Sequence, residues 1–219
     1  MKYIIGNWKC NPAKEKEAKE LFDSLAKNIP STENVETVIC PPFVYLPFGK
    51  GLVLGAQDCF WEGKGAYTGE ISPVQLKDLG CRYVIIGHSE RRKYQKESDV
   101  LNKKIKAALT SGLVPVFCIE KESQIQSGLK GLLKTEIERI IIAFEPVSAI
   151  GTGKPCSAKE AKKMLDKIKE KVSVPVLYGG SVNSSNAKDY FDAGYDGLLV
   201  GGASLKAAEF SKIAKLAQS

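Results

Sequence analysis

The feature that most constrains this chain is an alternation, eight times over, of a short apolar run with a longer polar or amphipathic stretch. The apolar runs are residues 3–7, 37–40, 53–56, 83–87, 115–119, 140–145, 174–178 and 197–200. They are rich in Ile, Val and Leu and lack polar alternation, as expected of strands covered on both faces. Between them lie patterns of helical period. In residues 12–28, Ala18, Leu21, Phe22, Leu25 and Ala26 form an i, i+3, i+4 stripe with Lys and Glu between. Ser157 and Glu160 fit a capping box, and Ala161, Met164, Leu165, Ile168 and Val172 carry the apolar stripe onward. Ser184 or Ser185 is placed to cap another helix that Gly194 closes. Repeated βα units imply a parallel sheet, and eight of them suggest closure. The expected fold is an α/β, single-domain (β/α)8 barrel over residues 1–219. Little more than residues 41–51, rich in Pro and Gly, joins the second and third strands, so one helical turn is expected there. The helix after the fifth strand is expected to be short as well.

Charge narrows the partners. Lys and Arg number 32 against 25 Asp and Glu, a net +7. That balance suits nucleic acid, anionic lipid or a phosphorylated metabolite. The lysines fall in residues 14–27, 103–106, 159–171 and 206–215, interleaved with Glu, Ala and Leu at helical spacing. They read as solvated outer faces of helices, so neither a nucleic acid nor a membrane is expected as partner. The cysteines are Cys10, Cys40, Cys59, Cys81, Cys118 and Cys156, with no C-x-x-C pair, and His88 is the single histidine. Neither a metal nor a cofactor is expected. The first residues break before any signal-peptide core, and no apolar stretch approaches membrane-spanning length. A reduced, cytoplasmic protein is the expectation.

In a barrel of this kind chemistry sits at the C-terminal ends of the strands. Asn7 and Lys9 follow the first strand, His88, Ser89 and Glu90 the fourth, Glu145 ends the sixth, Gly179-Gly180-Ser181 follows the seventh and Gly201-Gly202 the eighth. The two glycine turns let backbone N–H groups close on an anion, at the place where barrels usually bind phosphate. Glu145, at the end of an apolar run, is partly desolvated and hence a stronger base towards a carbon acid. A helix starting at Ser89 disfavours the imidazolium of His88, leaving a neutral ring that donates to a substrate oxygen. Lys9 places an ammonium in the same mouth. Residues 146–154, which end Gly151-Thr152-Gly153-Lys154, read as a mobile lid. A Walker A reading fails there, because Ser148 stands at its first Gly and Pro155 at its Ser or Thr.

Segments 6–11, 68–72, 86–92, 144–147, 149–154, 178–182 and 199–204, in this order and each at its expected strand, make the chain resemble the triosephosphate isomerase family over nearly its whole length. The resemblance implies a TIM barrel that interconverts D-glyceraldehyde 3-phosphate and dihydroxyacetone phosphate through an enediolate. It makes Glu145 the base, His88 the neutral electrophile, and Lys9 with Asn7 the stabilisers of the oxyanion. Gly151, Ser181, Gly201 and Gly202 would hold the phosphate, and Glu90 would support the site without being the base. It also implies a homodimer formed through residues 60–72, with Thr68 near the tip of that loop. The chain departs from the family's habits at Phe144, Ser148, Pro155 and Asp58, where Tyr, Trp, a non-proline hinge and Asn are usual. The competing readings are another phosphate-binding barrel enzyme, as in indole or thiamine biosynthesis, and a non-catalytic phosphate-binding protein.

Overall fold

A computed structural model describes residues 1–30, 33–146 and 155–218. Eight strands close into a barrel: β1 (Lys2–Asn7), β2 (Val35–Cys40), β3 (Val53–Ala56), β4 (Cys81–Ile86), β5 (Val114–Ile119), β6 (Ile141–Phe144), β7 (Val176–Tyr178) and β8 (Gly197–Val200). Their order around the barrel is their order in the chain, every pairing is parallel, and β8 returns to β1 with Tyr3 opposite Gly197. A Cβ on Gly197 would lie 2.0 Å from the Tyr3 carbonyl oxygen, so glycine is what permits this closing approach.

The lack of polar alternation in the strands now has its cause. Side chains alternate between two apolar regions rather than between core and water. Ile5, Val38, Tyr83, Ile85, Val116, Ile141, Ala143, Leu177 and Leu199 fill the barrel interior. Ile4, Ile39, Val84, Ile86, Phe117, Ile142, Val176 and Leu198 face the surrounding helices. Trp8, just past β1, is fully buried and packs on Phe22 with ring centroids 4.6 Å apart, docking the first helix.

The helices are α1 (Glu15–Asn28), α2 (Pro73–Asp78), α3 (Ser89–Gln95), α4 (Leu101–Thr110), α5 (Ser123–Gly128), α6 (Lys134–Ile137), α7 (Ala158–Lys169), α8 (Ala187–Asp192) and α9 (Ala207–Leu216). Both short crossovers are as expected. A 3-10 turn, Phe43–Phe48, follows β2, and only α5 and α6 follow β5. Gly128 lies so close to Phe117 that a Cβ would meet its ring at 2.3 Å. Ser157 caps α7 in a reciprocal box with Glu160.

Two expectations need correction. The residue that precedes α8 is Asn186, and it makes no side-chain cap. Ser185 instead donates its N–H to Asn183 Oδ1 at 2.9 Å, in a turn that delays the helix. Gly194, with φ +98°, does close it. Lys104 is not a solvated lysine but is 2 % exposed. Its ammonium lies 2.7 Å from Asp58 Oδ2 and 2.9 Å from Glu97 Oε2, and Arg91 bridges the same two carboxylates. Helical spacing gave this residue an outer face; a buried pair of acids 46 and 7 residues away drew it inward. The cluster underlies loop 60–72, whose neck is tied by Phe60 N–H donating to the Ile71 carbonyl at 2.8 Å. Phe60 packs on Trp61 and Tyr67, while residues 62–70 stand exposed.

Candidate active site

The inward alternation of each strand continues past its end. After Ile5 the next inward position is Asn7; after Ile141 and Ala143 it is Glu145; after Leu177 and Leu199 it is Gly179 and Gly201. Strand period alone thus brings a carboxylate, an amide and two glycines to one mouth. The cavity there is lined by Asn7, Lys9, His88, Glu145, Gly179, Ser181, Val182, Leu199, Gly201 and Gly202. The expected catalytic and binding residues Asn7, Lys9, His88, Glu145, Ser181, Gly201 and Gly202 are all in this set; Ser89, Glu90 and Gly180 are not among the lining, and Gly151 lies with the rest of 147–154 outside the described residues.

Glu145 is 1 % exposed. Its N–H donates to the Ile119 carbonyl at 2.8 Å, and the Gly179 N–H donates to the preceding Phe144 carbonyl at 2.8 Å. The main chain of the carboxylate is therefore pinned from β5 and β7. One carboxylate oxygen accepts the Ser89 N–H at 2.9 Å; the other faces His88 Nε2 at 3.1 Å. Burial pushes the carboxyl up to about 8, against the opposing pull of the Ser89 N–H, Arg92 and Lys9.

His88 precedes α3, and its Nδ1 accepts the Glu90 N–H at 3.2 Å. With that lone pair occupied, the ring proton sits on Nε2 and points at Glu145. Burial is the main reason the imidazole is pushed down to about 4; Lys9 and Arg92 act in the same direction and Glu90 opposes them. The ring is neutral at any ordinary pH.

Lys9 occupies the left-handed region at φ +55°, a strained place for a lysine. Asn7 Oδ1 accepts its N–H at 3.0 Å, and Gln57 Nε2 donates to the carbonyls of Lys9 and Cys40 at 2.8 and 2.9 Å. The ammonium reaches Glu90 Oε1 at 2.7 Å. Gln57 escaped the sequence reading, although a signal existed: it is the next inward position after Val53 and Gly55.

Opposite these groups are backbone donors. The Gly201 carbonyl accepts both the N–H and the hydroxyl of Ser204, at 2.8 and 2.6 Å. Because a trans peptide points its N–H away from its carbonyl, the Gly202 N–H is turned to the other side. Ser181 takes φ +51°, and the Asn186 side chain donates to its carbonyl at 3.2 Å. A second feature missed from the sequence lies at Cys156. Cys156 N–H donates to Tyr178 Oη at 3.1 Å, and Tyr190 Oη donates to the Cys156 carbonyl at 2.8 Å. The two tyrosine rings are stacked, with centroids 3.7 Å apart.

The mouth gathers a buried carboxylate, a histidine, a lysine and glycine turns, and comparison of the whole sequence with known proteins gives the family. The sequence model of the triosephosphate isomerase family fits residues 2–217. The chain belongs to the triosephosphate isomerase family. It is 43% identical to the triosephosphate isomerase of Dictyoglomus thermophilum, with 98% of each chain covered. It is 41% identical to that of a Thermoanaerobacter strain, over 96% of this chain and 97% of the relative. The Lactobacillus delbrueckii subsp. bulgaricus protein of the same name is 42% identical over 92% of both. Nothing in these comparisons favours the other two readings. A neutral histidine beside a glutamate base is the arrangement for which triosephosphate isomerases are the standard illustration.

Proposed function

We propose that this chain interconverts D-glyceraldehyde 3-phosphate and dihydroxyacetone phosphate, with Glu145 as base. The observation that carries the reading is His88 Nε2 at 3.1 Å from a buried carboxylate, while Nδ1 accepts the Glu90 N–H. Both carboxylate oxygens are engaged by protein donors. A substrate carbonyl or hydroxyl oxygen takes over the His88 N–H and freed Glu145 turns to the adjacent carbon. It removes the proton from that carbon, the C–H electron pair becomes the carbon–carbon double bond, and the carbonyl π pair moves onto oxygen. His88 and Lys9 hold that oxygen while the hydroxyl proton of the adjacent oxygen passes across to it; the electron pair left on the adjacent oxygen forms the new carbonyl, and the carbon–carbon π pair takes the proton back from Glu145 at the former carbonyl carbon. Asn7 keeps Lys9 in its strained pose. The phosphate rests on backbone N–H groups of the turns at Ser181 and at Gly201-Gly202.

Exchange with heavy water tests this directly. The purified protein should place deuterium from solvent on carbon in dihydroxyacetone phosphate, and a protein that leaves that carbon unlabelled is not this isomerase.

The homodimer belongs to the same proposal. Loop 60–72 stands exposed on a tied neck, with Tyr67 45% exposed beside Thr68, a shape suited to insertion into a second copy. Sedimentation should give twice the chain mass, and Thr68→Arg should shift it towards one. A cytoplasmic location fits six unbridged cysteines and the lack of a helix long and apolar enough to cross a membrane among the described residues.

A further inference from the structure

Arg92 enters none of the steps above, yet it is a buried charge without a close counter-ion. It lies four residues after His88, and its N–H donates to the His88 carbonyl at 3.1 Å. Its side chain is only 7% exposed. Nη2 donates to the Cys118 carbonyl near the end of β5, passing beneath Gly87 so closely that a Cβ there would come within 3.1 Å of it. Gly87 also holds φ +74°, so the residue before His88 is a glycine on both counts. The nearest carboxylate is Glu120, at 3.9 Å from Nη1, and neither Nη1 nor Nε has a hydrogen-bond partner among the described residues. A buried guanidinium so poorly neutralised is unfavourable for the fold. Its field is not spent on a close partner and reaches the groups above it.

We propose that Arg92 is a positioning residue for the isomerisation, which joins the ends of β4 and β5 beneath His88 and biases the protonation of the Glu145–His88 pair through its charge. The mechanical part follows from the ladder. Ile119, next to Cys118, is the residue whose carbonyl receives the Glu145 N–H, so holding β5 holds the base. The electrostatic part follows from sign. A nearby cation favours the carboxylate of Glu145 and disfavours the imidazolium of His88, so its charge shifts both groups towards their working forms. The other charges and titratable groups facing the pair are Lys9, already paired with Glu90, then Glu90 itself, Glu120, and the Cys118 thiol. Of the two cations, Arg92 is the one without a short ion pair, its nearest carboxylate being Glu120 at 3.9 Å.

The inference rests on the roles given above to Glu145 and His88, and the pH profile of kcat/KM separates the two. Arg92→Met should move the acid limb up by about one pH unit. Arg92→Lys should leave the limb in place while lowering kcat, because it keeps the charge and loses the bridge to Cys118. Glu120→Gln, which leaves Arg92 intact at a half-exposed position, should move the limb down. This third variant keeps the test alive if Arg92→Met fails to fold: an unmoved limb in Glu120→Gln then overturns the proposal. A uniform loss of rate in Arg92→Met with an unmoved limb makes the arginine merely structural. Full activity in Glu145→Asp would instead remove the base, and with it the reading beneath this one.

Discussion

The two halves of the barrel mouth are built from different materials. On the side of β1, β4 and β6, the lining residues proposed to act do so through side chains: Lys9, His88 and Glu145. On the side of β7 and β8, those proposed to act do so through main chain, at Ser181, Gly201 and Gly202. The difference matches what each half has to do. Proton transfer needs groups whose protonation the surroundings can adjust, and only side chains titrate. Holding an anion needs donors that never change state, and backbone N–H groups serve without a countercharge or a rotamer to freeze.

If the division holds, single substitutions should sort by kinetic parameter. Glu145→Asp retracts the base by one methylene from a site pinned on both sides. It should lower kcat by ~10²–10⁴, with a thermal midpoint close to that of the parent. Near-native turnover would break the comparison at its centre. His88→Gln keeps an N–H donor but loses the imidazole's proton chemistry. Turnover should drop by roughly 10², measured in the coupled assay with glyceraldehyde 3-phosphate, and an unchanged rate would leave the ring a structural cap.

On the other side, Gly202→Ala should act on binding alone. A Cβ on Gly202 meets nothing within 4 Å, so the fold should tolerate it while the methyl crowds the bound phosphate. KM should rise roughly tenfold, about 1.4 kcal/mol, at nearly constant kcat. Gly201→Ala sharpens the contrast, because its Cβ would lie 3.3 Å from Lys9 Cε, on the seam between the halves. It should raise KM and lower kcat together. If both glycine variants behave alike, the seam is wrongly drawn.

The smallest effect is in pH. Glu145 must be ionised to act as base, and burial raises its carboxyl to about 8. His88 must be neutral, and burial lowers it to about 4. Activity should therefore climb with pH towards about 8, with Glu145 setting the limb, and kcat/KM should fall about tenfold per unit below it. A limb near 4 would mean that the carboxylate is better solvated than its setting implies. Linkage runs in opposite directions for the two groups. The raised Glu145 adds stability at low pH that is lost between its ordinary value of 4.5 and about 8. His88, depressed from 6.5 to about 4, adds stability at high pH that is lost as the pH falls through that window.

Much of the fold was legible because its signals are local. Continuous apolar runs mark strands buried on both faces, and Ser157 with Glu160 announces α7 three residues apart. Glu145 was legible because an apolar run ends on it. Gln57, Arg92 and Lys104 were not, since their partners lie 48, 26 and 46 residues away, at Lys9, Cys118 and Asp58. No periodicity encodes such a pairing. The Tyr178–Tyr190 stack on Cys156 was hidden for the same reason.

By itself, then, the order of residues determined the alternation of elements, the closure into eight strands, and the chemical groups available at their ends. These depend on side-chain period and turn chemistry, which act over a few residues. Only the tertiary structure decided which nitrogen of His88 carries the proton, how dry Glu145 becomes, and that Arg92 lies beneath both. Those properties come from burial and from distances between segments remote in the chain, because desolvation and charge act through space.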